Sequence, residues 1–156
     1  MIKKFSDWIL KVSTGIVTLG CLVLFLVFSI LVLPNQAAMA ESYSNDIGSP
    51  DTSFFYTADE LYRIAQAYGP EGRAAYIQAR FTFDLIWPLV YLAFLGTSIS
   101  WLIKKLDLHD TTWQLLNLVP LGGMSFDFLE NVSTAFVMAK FPQTVAVIDH
   151  LAGVFT

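Results

Sequence analysis

The sequence predicts an all-α integral membrane protein: a four-helix transmembrane bundle with an incomplete fourth helix and a short amphipathic helix in the first extramembrane loop. Three observations lead there. Of the 156 residues 55% are hydrophobic and 14% charged, whereas a soluble domain has about a quarter of its residues charged. The apolar residues also come in long runs, the pattern of membrane helices. Finally, those runs end at basic or proline-containing stretches, as at Lys104-Lys105 and Lys140-Phe141-Pro142. One domain, 1–156, is expected, with helices over about 12–33, 70–105, 112–139 and 142–156 and a loop helix over about 57–68.

Several function classes drop out at once. The net charge is −4, which leaves no basic footprint for nucleic acid. The single cysteine, Cys21, excludes an internal disulfide and any cysteine-clustered metal site. The membrane enzymes that pass disulfide electrons to quinones need several cysteines and are excluded too.

Residues 1–11 form a short basic amphipathic lead with Lys3, Lys4 and Lys11. The uncharged run 12–33 follows, about 33 Å of helix against a hydrocarbon core of roughly 30 Å. Pro34 is expected to stop it. The run exceeds the 7–15 apolar residues of a secretory signal, so it reads as a retained anchor, although Ala38-Met39-Ala40 has the form of a cleavage site.

Residues 35–53 are polar and read as an exposed loop. Thr57-Ala58-Asp59-Glu60 has the spacing of a capping box, and Leu61, Ile64, Ala65 and Tyr68 repeat on one helical face. Gly69 suits a stop and Pro70 a new start. With Phe54, Phe55, Tyr56 and Tyr62 beside it, this helix is expected to lie at the membrane interface, over the bundle or packed as a simple loop.

From Pro70 the helix is expected to run unbroken to Lys105, with Arg73, Tyr76 and Arg80 at the headgroups. Asp84 stands one turn after Arg80, within reach of an i, i+4 ion pair. Pro88 should kink the helix below it, and Gly96, Thr97, Ser98 and Ser100 are small enough for close helix approach. A polar turn at 107–110 leads into the third helix, which Pro120, Gly122 and Gly123 should weaken. The fourth run, 142–156, is about 22 Å long and too short to cross. The natural chain is therefore expected to continue past Thr156, or a partner subunit or second copy to cover this end.

The third run holds the strongest functional signal. Asp127, Glu130, Asn131 and Thr134 share one face, and Asp127 falls about 20 Å from Lys140, near mid-bilayer. An ionisable group there costs at least about 2.5–3.5 kcal/mol, so a partner, water or a ligand must offset it. Asp127 and Glu130 are the candidate acid/base or cation-recognising pair. Asn131, Asp84, Arg80 and Asp149 are candidate ligand-binding groups, with Trp87 and Tyr91 among the aromatic lining. Carboxylates held close together cannot all ionise, and a protonated acid beside an ionised one can transfer protons. No H-x-x-x-H or E-x-x-H spacing supports a metal, and no cofactor is expected.

The lysine and arginine distribution sets the expected topology. Lys3, Lys4, Lys11, Lys104 and Lys105 fall on one side and Arg63, Arg73, Arg80 and Lys140 on the other. This places the N-terminus in the cytoplasm and the first loop outside. In layout alone (four helices, an aromatic-rich first loop, acids in the bundle) the chain resembles the EXPERA group, which includes sterol isomerases and the sigma-2 receptor; no signature motif carries the resemblance.

The expected function is a polar, acidic pocket in the outer half of the bundle. It binds a hydrophobic or amphipathic molecule entering from the lipid bilayer, with acid/base alteration of that molecule left open. The alternative is a non-enzymatic accessory or structural subunit of a larger membrane complex, whose acids hydrogen-bond neighbouring helices.

Overall fold

The computed structural model describes residues 1–44, 47–53, 55–108 and 110–156, with the backbone alone at Thr52. Its elements are α1 (Ile2–Val12), α2 (Gly15–Val27), a π-helical turn (Phe28–Val32), α3 (Leu33–Ser44), a 3-10 turn (Pro50–Thr52), α4 (Ala58–Arg80), α5 (Phe83–Lys105), α6 (Thr111–Leu115), a 3-10 turn (Leu116–Leu118), α7 (Val119–Lys140) and α8 (Ile148–Phe155). No strand occurs among the described residues. Of the expected membrane helices, two stretches have the length and apolar composition to cross a bilayer: Gly15–Ser44 and Ala58–Lys105.

Pro34 does not stop the first helix, and 35–44 is not loop. The π turn relaxes the i→i+4 register just ahead of it, and Pro34 falls in the first turn of α3, where its missing N–H matters least. The second helix is broken where an unbroken one was expected. At Phe81-Thr82 the Thr82 hydroxyl donates to the Gln78 carbonyl at 2.8 Å and its N–H to the Ala79 carbonyl at 3.2 Å, tightening the last turn. The third region breaks upstream of its glycines, at the Leu116–Leu118 turn, and Pro120 occupies the first turn of α7. The fourth helix shrinks to eight residues, about 12 Å. Pro142 cannot continue α7, and the chain turns with Gln143 N–H on the Lys140 carbonyl at 2.9 Å.

The chain forms two compact units. One comprises 1–31 and 87–124, the other 32–86 and 125–156. In the first unit Asn117 is fully buried between α1 and α5. Its amide donates to the Ser6 carbonyl (3.1 Å) and to Ser100 Oγ (2.9 Å), and its Oδ1 accepts from Ser6 Oγ (2.9 Å). A buried amide so satisfied fixes the register of the elements it joins. In the same unit Phe25 of α2 stacks on Trp87 and Phe94 of α5, ring centroids 5.4 and 4.8 Å apart. The small residues Thr97 and Ser100 are buried, and Thr18 donates to the Thr97 carbonyl at 3.4 Å. The end of α5 is a Schellman motif: Asp107 takes φ 56, its N–H meets the Lys104 carbonyl, and Leu108 N–H meets that of Ile103.

The second unit is built on the loop helix. Thr57 caps α4 with both arms of the capping box, Glu60 N–H to Thr57 Oγ1 at 3.3 Å and Thr57 N–H to Glu60 Oε2 at 2.8 Å. That backbone N–H, followed by the Thr57 hydroxyl, holds the Glu60 carboxyl below its ordinary range. Gly69 has φ 63 and divides α4 into two helical segments, the second starting at Pro70. Leu61, Ile64, Ala65 and Tyr68 are all buried, in one core with Tyr56, Tyr76, Val137, Met138 and Ala152. This stripe therefore packs on α7 and α8 of its own unit. Tyr56 and Leu61, one residue before the cap and four after it, both enter that core, a hydrophobic staple. Of the aromatic residues expected around this helix, Phe54 lies outside the described residues.

Candidate functional site

One cluster of polar residues in the second unit centres on Arg80, on the last turn of α4. Tyr76 precedes it by one turn, so the guanidinium lies over the Tyr76 ring, 4.3 Å from its centroid. The 3-10 turn at Pro50–Thr52, where Asp51 N–H reaches Ser49 Oγ, presents Asp51 to the same guanidinium. Nη1 donates to Asp51 Oδ1 at 2.7 Å and Nη2 to Asp51 Oδ2 at 2.6 Å, the two-pronged geometry that suits arginine. Nη1 also donates to Asn131 Oδ1 of α7 at 3.2 Å. On the other edge Nε stands 2.7 Å from Asp84 Oδ2 but off line, an ion pair rather than a directed hydrogen bond. Arg80 is only 9% exposed, and burial of a guanidinium is tolerable when its N–H groups are engaged in this way.

Glu130 belongs to a second group. Its Oε1 accepts from the Tyr56 hydroxyl at 2.9 Å and from Thr156 Oγ1 at 2.7 Å. Tyr56 is 2% exposed; burial foremost, with the Glu130 carboxylate adding to it, pushes its pKa up, so the phenol stays a donor. Thr134, on the same face of α7, turns its hydroxyl back to the carbonyls of Glu130 and Asn131 instead of outward. Asp127 is half-buried one turn earlier on α7, within electrostatic reach of Asp84 and Glu130.

The expected site residues thus divide three ways. Arg80, Asp84 and Asn131 are in direct contact, with Glu130 and Asp127 close by. Asp149 is engaged elsewhere in the same unit: it accepts from the Tyr62 hydroxyl at 3.2 Å and from His150 N–H at 2.8 Å, opening α8, while Tyr62 Oη accepts from Val145 N–H. Trp87 and Tyr91 belong to the other unit, where they pack edge to face on each other and Trp87 stacks on Phe25.

Asp51, Tyr56 and Tyr76 were missed by sequence reasoning. Asp51 sits in a Ser-Pro-Asp-Thr turn, which signals its backbone but not its partner. Tyr56 stands directly before the capping box, a position that favours a buried apolar ring. Tyr76 lies four residues before Arg80, a spacing that was available to read.

Chemically the cluster is acid-rich. Asp51 and Asp84 contact Arg80, and Asp127 and Glu130 lie within electrostatic reach of Asp84, so full ionisation of the four against one cation would leave three excess negative charges. Such an assembly holds protons or takes up a cation. Yet the carboxylates in contact with Arg80 are already bound by it, and a carboxylate gripped by a guanidinium is a poor base. No family model, curated protein or solved structure matches this chain.

Proposed function

We propose that this chain is a multi-pass integral membrane protein of the non-enzymatic accessory or structural class. Its Arg80 cluster latches the first extramembrane loop onto the helices. The observation that carries this reading is the occupancy of the Arg80 guanidinium by Asp51, Asp84, Asn131 and the Tyr76 ring. Of the candidate site residues, Arg80 is in contact with Asp84 and Asn131, and Glu130 is taken by the Tyr56 and Thr156 hydroxyls. In this reading the N-terminus and Lys104-Lys105 lie in the cytoplasm, the loop carrying Asp51 lies outside, and α7 crosses as a third span. The basic residues support that orientation, five against four.

A second reading rests on the excess of acids: Asp127 and Glu130 bind a cationic or amphipathic molecule, or transfer a proton to it. Thermal unfolding in detergent, with and without added lipid extract, separates the two. The structural reading expects wild type and Asp127→Asn to shift equally on adding extract. A shift seen in wild type and abolished in Asp127→Asn would establish a ligand at that carboxylate and overturn it.

A further inference from the structure

We propose that an open groove in the first unit binds the phosphate headgroup of an anionic phospholipid. Its volume is about 480 Å³, and Ser13, Thr14, Gly15, Trp101, Lys104 and Lys105 line it. Both lysines are exposed, and among the described residues neither has a carboxylate within ion-pairing distance. Two unpaired cations on one groove attract an anion, and lysines ending an apolar span do so at the level of the headgroups.

The rest of the groove suits the same occupant. Lys105 Nζ stands over the Trp101 ring, 5.9 Å from its centroid. The indole nitrogen of Trp101 comes so near Gly15 that a Cβ there would lie 3.4 Å from it, which puts an N–H donor against the backbone at Gly15. Thr14 Oγ1 is occupied by Val17 N–H, and the first intrahelical bond is that of Thr18 N–H to the Thr14 carbonyl. The N–H groups of Gly15 and Ile16 precede it and face no carbonyl of their own helix. Beyond the groove, Ile16, Leu19 and Val23 of α2 are exposed apolar side chains. A free phosphate would gain nothing from that wall, whereas acyl chains would cover it, and this favours a lipid over a soluble anion.

The proposal rests on membrane insertion of α2 and α5 and is independent of the Arg80 cluster. Resistance to alkaline extraction from membranes therefore checks its premise separately; release of the protein would end both. Native mass spectrometry of the full-length protein from detergent, with phosphatidylglycerol, phosphatidylcholine or inorganic phosphate added, tests the site. We expect retention of phosphatidylglycerol alone, weakened about thirtyfold in the double variant Lys104→Gln/Lys105→Gln, at about a single lysine's surface contribution for each change. Lys3→Gln/Lys4→Gln should bind as wild type does. Equal weakening in both double variants, equal retention of phosphatidylcholine, or inorganic phosphate binding as tightly as the lipid would each overturn the assignment.

Discussion

Asp51 and Arg80 meet through both carboxylate oxygens and both terminal guanidinium nitrogens, at 2.7 and 2.6 Å. Asp51 comes from a three-residue turn and Arg80 from the end of a helix, so the pair fixes the loop to α4. The same guanidinium reaches Asp84 at the start of α5 and Asn131 on α7. Four segments of the second unit are thereby joined at one side chain.

A close backbone approach elsewhere in this unit gives a second check on its packing. A Cβ at Gly153 of α8 would overlap the carbonyl oxygen of Tyr56, whereas one at Gly122 would meet nothing within 4 Å. Gly153→Ala should cost about 1–3 kcal/mol in equilibrium unfolding. Gly122→Ala should be neutral or stabilising by up to about 1 kcal/mol.

The capping box gives a pH dependence of known sign. Glu60 has its carboxyl lowered in the folded chain by the Thr57 backbone N–H, then by the Thr57 hydroxyl. Its contribution is therefore present above the unfolded value of 4.5 and lost as pH falls through the folded value. The melting temperature of wild type, measured against Glu60→Gln, should hold constant from neutral pH to about 5 and fall relative to the variant below 4.5. Thr57→Ala should cost about 1 kcal/mol at neutral pH.

Topology is checked by labelling. In a Cys21→Ala background, a cysteine placed at Asp59, an exposed position of α4, should react with an impermeant maleimide added to intact cells. Reaction only after permeabilisation would reverse the orientation.

What the sequence disclosed follows from the range of the interactions involved. The capping box, the Leu61-Ile64-Ala65-Tyr68 stripe, the Gly69-Pro70 break and the Arg80–Asp84 spacing are local rules written within a few residues, and each is present in the fold. Of the four apolar runs, the first two lie in the two stretches long and apolar enough to cross a membrane. The pairing of Asp51 with Arg80 is not local: nothing in a polar turn names a partner on a distant helix. Helix α3 escaped because Pro34 reads as a stop unless a π turn precedes it, and the short α8 because hydrophobicity alone does not reveal the bonds made by Tyr62 and Asp149. Trp87 and Tyr91 share an aromatic character with a pocket lining, but composition does not say which neighbours an aromatic ring meets.

The latch itself is tested most directly by a double-mutant cycle of Arg80→Met and Asp51→Asn, read by equilibrium unfolding in mixed detergent micelles. Removing one partner of a well-buried ion pair costs about 3–5 kcal/mol, and since the Asp51 side chain is 34% exposed, about 2 kcal/mol is expected for Asp51→Asn. The account predicts a coupling of about 1–3 kcal/mol between the two positions. Losses that simply add, with no coupling, would contradict it.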